Sequence, residues 1–215
     1  MSLKIKIIPV TPYEQNATLL WDDASREAVL VDVGGDVPLL WAQLQELGLR
    51  LKEIWLTHGH LDHTGGVVEL LKLADVPVLG PHREDLFLLE SLPETTTAYA
   101  KHGFDFSPAF VPTRWLEEGE QVFLGEYVFD VLHIFGHTPG HIVFYCPSEK
   151  LLIAGDTLFK ESVGRTDFPR SDPQGLLDNI RNKLYVLPDD VRVLPGHRDT
   201  TTIGYEKQHN PYVRG

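Results

Sequence analysis

The feature that most constrains this chain is the run HGHLDH at residues 58–63. The run places three histidines and one aspartate within six positions, directly after the apolar residues 54–56. Imidazole nitrogens and carboxylate oxygens are ligands that zinc, iron and manganese all accept in proteins. An alternative, a polar loop whose histidines cap the neighbouring backbone, does not explain such crowding. The run therefore predicts a metal site where a strand ends and a helix begins, the position at which α/β folds collect ligands.

Apolar segments rich in valine, isoleucine and leucine recur along the chain and predict β-strands. They occupy residues 3–10, 17–21, 28–33, 54–56, 76–79, 121–124, 127–134, 142–145, 151–154 and 191–194. Apolar residues at helical spacing predict helices at 36–48, 64–73, 84–92 and 173–187, the first of them capped by Asp36. Residues 93–112 have little periodicity and predict a loop. This order favours an α/β fold with helices outside the sheets, as a single domain over residues 1–215.

Three more candidate ligands each follow an apolar strand and then a glycine or a turn: His137, Asp156 and His197. Taken singly, each has an ordinary role open to it, such as a helix cap for Asp156 or a surface loop position for His197. Together with the run at 58–63 they amount to five histidines and two aspartates, whereas a single tetrahedral zinc takes four ligands. Seven ligands predict two metal ions that share a carboxylate and a bridging hydroxide.

Four motifs resemble those of the metallo-β-lactamase superfamily: THGHLDHTGG at 57–66, GHTPGH at 136–141, GDT at 155–157 and PGH at 195–197. The resemblance covers nearly the whole chain. It implies an αββα sandwich, which is two mixed β-sheets with helices on both outer faces. It also implies the ligand sets: His58, His60 and His137 for one metal, Asp62, His63 and His197 for the second, and Asp156 as the bridge between them.

Two further motifs, VGRTDFP at 163–169 and TIGYEKQHNP at 202–211, resemble the short bacterial type of glyoxalase II, or hydroxyacylglutathione hydrolase. The main class of zinc β-lactamases has a cysteine where this chain has Asp156, so antibiotic hydrolysis is not expected. Full-length glyoxalase II has a C-terminal helical domain, whereas 18 residues (215 − 197) follow His197 here. Arg198 stands where the short type often has glycine. Thioester hydrolysis is therefore better supported than the identity of the thiol.

The resemblance implies hydrolysis of glutathione thioesters, such as S-D-lactoylglutathione to D-lactate and glutathione. Two divalent metal ions, zinc first and iron or manganese as alternatives, would lower the pKa of a bridging water and yield hydroxide near neutral pH. Asp62 would orient this hydroxide as well as bind metal. Arg165 and Lys160 are candidate contacts for an anionic substrate group. Their alternatives are an ion pair of Arg165 with Asp167 or Asp172, and a surface position for Lys160.

Other functions remain open on the same motifs. The related persulfide dioxygenases carry a similar GRTDF run and would use one iron, held by His58, His137 and Asp156. A lactonase or another acyl hydrolase is a further alternative, and a non-catalytic binding module is disfavoured because all seven ligand positions are filled. Two metal ions per chain would favour hydrolysis, and one iron with oxygen uptake would favour the dioxygenase.

The composition of the chain limits the kinds of partner that it can be expected to bind. The chain has 31 acidic and 19 basic residues, a formal charge of −12 and no basic stripe, which disfavours nucleic-acid binding. No stretch approaches the roughly 18 apolar residues of a membrane span, and the first residues lack the apolar region of a signal peptide. The single cysteine, Cys146, is expected to be a small buried hydrophobe. We expect a cytoplasmic protein that acts on a small-molecule thioester, and the sequence says nothing of its oligomeric state.

Overall fold

Two β-sheets form the centre of the protein in the computed structural model, which describes residues 2–214. The first sheet contains β1 (Leu3–Val10), β2 (Gln15–Asp22), β3 (Glu27–Val31), β4 (Arg50–Trp55) and β5 (Val78–Leu79), in that spatial order. The β1–β2 and β2–β3 pairs are antiparallel, while the β3–β4 and β4–β5 pairs are parallel. Because parallel neighbours need crossover connections, helices cover one face of this sheet.

The second sheet is also mixed. In chain order the remaining strands are β6 (Gln121–Leu124), β7 (Tyr127–His133), β8 (Ile142–Cys146), β9 (Leu151–Gly155), β10 (Leu158–Phe159), β11 (Ser162–Val163), β12 (Arg192–Pro195) and β13 (Thr201–Thr202). The sheet order is β13-β12-β9-β8-β7-β6, and β10 pairs with β11 in a separate antiparallel hairpin. The β12–β9 pair is parallel and the other pairs of the sheet are antiparallel.

Short helices connect the strands. They are α1 (Val37–Glu46), α2 (Leu61–Thr64), α3 (Val67–Leu71), α4 (Leu86–Glu90), α5 (Leu92–Tyr99), α6 (Pro173–Asn179) and α7 (Ile203–His209). Turns of 3-10 helix lie at Arg83–Asp85 and Ala100–His102, and a π-helical segment at Ile180–Leu184 follows α6. Within residues 2–214, no helix combines the length and the apolar character needed to cross a membrane.

The space between the sheets is filled by the side chains that alternate inward along the strands. Val29 and Val31 of β3 pack there with Trp55, Phe129 and Phe144. The Trp55 ring lies 5.1 Å from the Phe129 ring and 5.3 Å from the Phe144 ring, measured between centroids. This shared apolar layer holds the two sheets face to face.

The outer faces of both sheets carry helices. Leu30 of β3 faces away from the second sheet and clusters with Leu40 of α1 and Val67 of α3. On the other side, Leu152 of β9 clusters with Leu176 of α6. The predicted fold class is therefore confirmed: the chain is an α/β (α+β) protein, an αββα sandwich of two mixed β-sheets with helices on both outer faces.

Helix limits differ from the prediction more than strand limits do. Asp36 is the N-cap residue of α1, as predicted, but its side chain makes no capping hydrogen bond. Its backbone is left-handed (φ 48°), and its carboxylate accepts a hydrogen bond from the Thr11 backbone nitrogen at 2.6 Å instead. The helix expected at 64–73 is represented by the shorter α3 and by the last residue of α2. The two helices are separated where the Gly66 backbone nitrogen donates to the Val33 carbonyl at 2.9 Å. The loop expected at 93–112 contains most of α5, whose Pro93 lies in the first turn, where proline is tolerated.

Candidate metal centre

The run at 58–63 lies between the end of β4 and the start of α2. The loop comes so close to the chain after β3 that a Cβ added at Gly34 would lie 1.6 Å from the Asp62 carbonyl oxygen. The next turn is held by backbone bonds from His63 and Thr64 to the His60 carbonyl, at 3.0 and 3.1 Å. The sequence therefore turns sharply at the sheet edge and directs its polar side chains to one point.

Three imidazoles converge in what we call site A, defined by His58, His60 and His137. His60 Nδ1 lies 3.1 Å from His58 Nε2 and 2.9 Å from His137 Nε2. All three nitrogens lie within 4.8 Å of one another. Nitrogen ligands at about 2.0–2.1 Å from a tetrahedral metal are separated by roughly 3–3.5 Å. Site A thus has the spacing that a metal ion needs.

A second cluster, site B, is defined by Asp62, His63 and His197. His197 Nε2 lies 3.2 Å from Asp62 Oδ2, and His63 Nε2 lies 3.9 Å from the same oxygen. Its three donor atoms also lie within 4.8 Å of one another. Site B therefore combines two imidazoles with a carboxylate, whereas site A contains imidazoles alone.

Asp156 lies between the two sites. Its Oδ2 is 3.6 Å from His137 Nε2 of site A and 3.6 Å from His197 Nε2 of site B, and its Oδ1 is 3.3 Å from His63 Nε2. Asp156 Oδ1 and His63 Nε2 are both buried and make no hydrogen bond. Both atoms are of the kind that bind metal ions, and a metal ion between them would give each the partner that it lacks. The cluster is capable of binding metal, and the assignment of each residue as a ligand stays a prediction.

In four of the five histidines, the ring nitrogen that faces away from the centre also has a partner, which fixes the orientation of that ring. The contacts are His58 Nδ1 with Thr57 Oγ1 at 3.0 Å, His63 Nδ1 with Asp32 Oδ2 at 2.9 Å, His137 Nδ1 with the Arg165 carbonyl at 2.7 Å and His197 Nδ1 with the Tyr13 carbonyl at 3.1 Å. Such contacts select the tautomer that presents a lone pair to a metal ion.

Sequence reasoning missed Asp32, which is buried at the end of β3. Its Oδ1 accepts from the Thr57 backbone nitrogen at 2.8 Å, and its Oδ2 accepts from the Thr57 hydroxyl at 2.7 Å as well as facing His63. Because both oxygens are already engaged, Asp32 orients ligands rather than joining them. The signal that could have found it is the one used for Asp156: an acidic residue directly after an apolar strand.

His141 supports the centre from outside sites A and B. It is buried, its Nε2 accepts a hydrogen bond from the Asp156 backbone nitrogen at 2.9 Å, and its ring stacks on His58 at 4.7 Å. The interpretation of Cys146 as a buried hydrophobe is confirmed, since its side chain is fully buried.

Sites A and B differ in their protonation. Burial, and in His58 and His60 also the neighbouring imidazoles, lowers the pKa of the site A histidines, well below the ordinary value for His58 and to about 3 for His60. Burial also opposes protonation of His63, yet the carboxylates of Asp156, Asp62 and Asp32 raise its pKa well above the ordinary value. The pKa of His197 is raised as well, because Asp62 and Asp156 outweigh its burial.

Arg165 and Lys160 lie on the exposed side of the centre. The Arg165 guanidinium pairs with Asp167 at 2.8 and 3.0 Å and lies 4.6 Å over the Phe168 ring. Phe168 in turn packs 4.7 Å from the His60 ring. Lys160 Nζ is 3.6 Å from Asp199. The alternative expected for Arg165, an ion pair with Asp167, is present, so contact of either cation with substrate stays a prediction.

Comparisons with known proteins agree with this geometry. The family model described as Metallo-beta-lactamase superfamily matches residues 10–197. Hydroxyacylglutathione hydrolase GloC of Haemophilus influenzae is 44% identical over 212 residues, which are 98% of each chain. The BLEG-1 B3 metallo-beta-lactamase has a TM-score of 0.90 at 36% identity, covering 99% of this chain and 100% of its own. A protein solved in a di-iron-bound form has a TM-score of 0.87 at 38% identity, covering 97% and 100%.

Proposed function

Because the chain belongs to the metallo-β-lactamase superfamily, we propose that it is a metal-dependent hydrolase of glutathione thioesters, such as S-D-lactoylglutathione to D-lactate and glutathione. The observation that carries the proposal is Asp156, whose carboxylate faces site A and site B at once. The 44% identity to a hydroxyacylglutathione hydrolase over almost the whole of both chains supports the substrate class.

We assign His58, His60 and His137 to one divalent cation, Asp62, His63 and His197 to the other, and Asp156 to both. Two cations held there, zinc first and iron or manganese as alternatives, supply Lewis acidity and hydroxide near neutral pH. The di-iron form of a relative keeps iron open as the native metal. Neither histidines nor carboxylates select strongly among these ions.

Asp62 is the proposed catalytic residue. Its side chain is 18% exposed, whereas that of His63 is fully buried, so Asp62 lies on the side from which a substrate can approach. Burial would raise the pKa of Asp62, but His63 and His197 outweigh it and lower the pKa. Asp62 is therefore a carboxylate at neutral pH and can accept a hydrogen bond from the attacking water, which orients it towards the thioester carbonyl.

Arg165 and Lys160 are the proposed contacts of the anionic thiol moiety. Their side chains are 70% and 45% exposed, and their present partners, Asp167 and Asp199, are 65% and 83% exposed. Exposed ion pairs of this kind contribute little, about 0–1 kcal/mol. A carboxylate of the substrate can therefore replace either aspartate at small cost.

The remaining expectations enter as parts of the same proposal. The chain, residues 1–215, is one metallo-β-lactamase-like domain, which the apolar layer shared by both sheets supports. Its partner is a small-molecule thioester rather than nucleic acid, in keeping with the net charge of −12. We propose a cytoplasmic location, where glutathione thioesters are available.

The test combines metal analysis with paired assays on the purified protein. We expect two metal ions per chain and hydrolysis of S-D-lactoylglutathione, with Asp62→Asn as the inactive control that still binds metal at site A. Oxygen uptake on glutathione persulfide, lactone hydrolysis and β-lactam hydrolysis are measured alongside. A single iron with fast oxygen uptake and no thioester hydrolysis would overturn the proposal in favour of a persulfide dioxygenase. Faster turnover of lactones or β-lactams would overturn the substrate class.

A further inference from the structure

A buried carboxylate outside the two sites connects the loops that carry site A. Asp85 precedes α4 and its side chain is fully buried. Its Oδ2 accepts from the Gly59 backbone nitrogen at 2.9 Å and from the Thr138 hydroxyl at 2.8 Å, and its Oδ1 accepts from the Gly140 backbone nitrogen at 2.6 Å. These are three good hydrogen bonds to one ionisable group.

The partners of Asp85 lie next to the ligands of site A. Gly59 separates His58 from His60, and Thr138 directly follows His137. One carboxylate thus bonds to the loop that provides two ligands of site A and to the loop that provides the third. Because the donor nitrogens of site A lie 2.9–3.1 Å apart, a small change in the distance between these loops would spoil the site.

Both loops pack closely on the backbone around Asp85. A Cβ at Gly140 would lie 2.5 Å from the Asp85 nitrogen and 2.6 Å from the His82 carbonyl oxygen, and a Cβ at Gly59 would lie 2.8 Å from Leu88 Cβ. The His82 backbone nitrogen also donates to the Gly140 carbonyl at 3.1 Å. The glycines therefore allow the segment around Asp85 to contact both loops directly.

Site B is oriented by other groups. His63 faces Asp32, and His197 faces the Tyr13 carbonyl. None of the three hydrogen bonds described for Asp85 reaches these residues. The two halves of the centre are thus held by separate parts of the chain.

We propose that Asp85 is a positioning residue that controls metal occupancy of site A and leaves site B largely unaffected. The inference rests on the proposed function only in taking His58, His60 and His137 as one metal site. Asp85 sets the spacing of the two loops through its three hydrogen bonds, and the neutral amide of an Asp85→Asn variant offers one acceptor where two are needed. Metal affinity changes of about 10- to 100-fold are typical when such supporting contacts are lost.

The experiment measures zinc affinity against a competing chelator in single-site backgrounds. His197→Ala removes a ligand of site B and leaves site A to be measured, and His137→Ala does the reverse. We expect Asp85→Asn to weaken zinc binding about tenfold or more in the His197→Ala background and less than about threefold in the His137→Ala background. Equal losses in both backgrounds, or no loss in the first, would overturn the inference.

Glu206→Gln is the matched control. Glu206 is another buried carboxylate with three hydrogen bonds, from the Glu161 backbone at 2.9 Å, the Thr201 hydroxyl at 2.6 Å and the Asn210 amide at 2.9 Å. It joins α7 to the β10–β11 hairpin, so its amide should leave the zinc affinity of site A within about twofold. A loss equal to that of Asp85→Asn would reduce Asp85 to a general stabilising role and overturn the inference.

A second variant keeps the inference testable. If Asp85→Asn does not fold, Thr138→Val removes one of the three hydrogen bonds at nearly constant volume, and we expect a smaller loss at site A alone. No loss at site A, or an equal loss at both sites, then overturns the inference. The affinities need no substrate, so a protein that fails to hydrolyse thioesters but loses zinc from site A on mutation of Asp85 overturns the proposed function and supports this inference.

Discussion

Site A and site B lie on either side of Asp156, and the pKa values of their histidines are shifted in opposite directions. The pKa of each site A histidine is lowered, because burial disfavours the protonated, positively charged ring. In His58 and His60 the neighbouring imidazoles add to this effect. The pKa values of His63 and His197 in site B are raised, because carboxylates surround them. Without metal, site A is therefore a set of neutral donors, whereas site B neutralises its carboxylates with protons. Filling site B must release protons that site A does not hold.

The two sites also differ in access. The side chains of Asp62 and His197 are 18% and 22% exposed, whereas that of His137 is 3% exposed and His58 is fully buried. Two of the three site B residues are thus partly exposed, against one residue of site A, His60, so site B is the more open of the two. On the proposed function, site A would hold metal, while site B would also provide Asp62, the residue that contacts the reacting water.

Removing the shared ligand should have the largest effect. We expect Asp156→Ala to lower kcat/KM at least about 1,000-fold and to deplete metal from both sites, since each loses the same carboxylate. Thioester assays and metal analysis on the folded variant measure both effects. An active, fully metallated variant would contradict the assignment of Asp156 as the bridge.

Removing one ligand from each site should separate them. We expect His137→Ala and His197→Ala each to lower kcat/KM at least about 100-fold and to reduce the metal content from two ions to one. Cobalt spectra of the two variants should differ, because the remaining ion has three imidazoles and Asp156 in one case and two imidazoles, Asp62 and Asp156 in the other. Loss of both ions from either variant would mean that the sites do not bind independently.

The stability of the metal-free protein should decrease on both sides of pH 6.5, the ordinary pKa of histidine, for different reasons. Below this pH, the site A histidines are protonated in the unfolded chain but stay neutral in the folded protein. Site A therefore lowers the stability of the metal-free protein in acid. Above this pH, folded His63 and His197 keep protons that the unfolded chain has lost, and this stabilisation disappears as the pH rises through their raised pKa values.

Thermal unfolding of metal-free protein across this range measures the effect. A decrease of a few degrees in Tm is expected on the alkaline side, since about 1 kcal/mol corresponds to roughly 2–4 °C in a chain of this size. Zinc-loaded protein is the control and should lose most of the alkaline slope, because metal replaces the protons. A flat Tm above pH 6.5 in the metal-free protein would contradict the charge assigned to site B.

The smallest effect is expected at the exposed rim. Arg165→Ala should raise KM for a glutathione thioester about threefold to tenfold with little change in kcat, since one exposed charge pair is worth roughly 1 kcal/mol. Arg170→Ala is the matched control, because Arg170 also pairs with an acid, Glu84, and lies 4.6 Å over a phenylalanine ring, that of Phe87. Equal kinetics for the two variants would remove Arg165 from the substrate contacts.

Much of the fold could be predicted because strands are read from local patterns. The strand predicted at 3–10 coincides with β1, and that at 121–124 coincides with β6. The hairpin of β10 and β11 was missed, since each strand has two residues and no period to detect. Helix α5 was missed because Leu92 and Thr96 are its only buried residues and one of them is polar, so the helix has no apolar stripe to detect.

The sequence by itself identified the seven residues that the structure brings together at the candidate metal centre. These residues lie in short motifs at strand ends, and the spacing of histidine and aspartate in those motifs can be recognised from the sequence. Only the tertiary structure decided how those donors are divided and held. Asp32 meets His63 across 31 positions, and Asp85 meets Gly59 and Gly140 across 26 and 55 positions. A buried carboxylate such as Asp85 leaves no local pattern, because its partners are brought to it by the packing of two sheets and their loops.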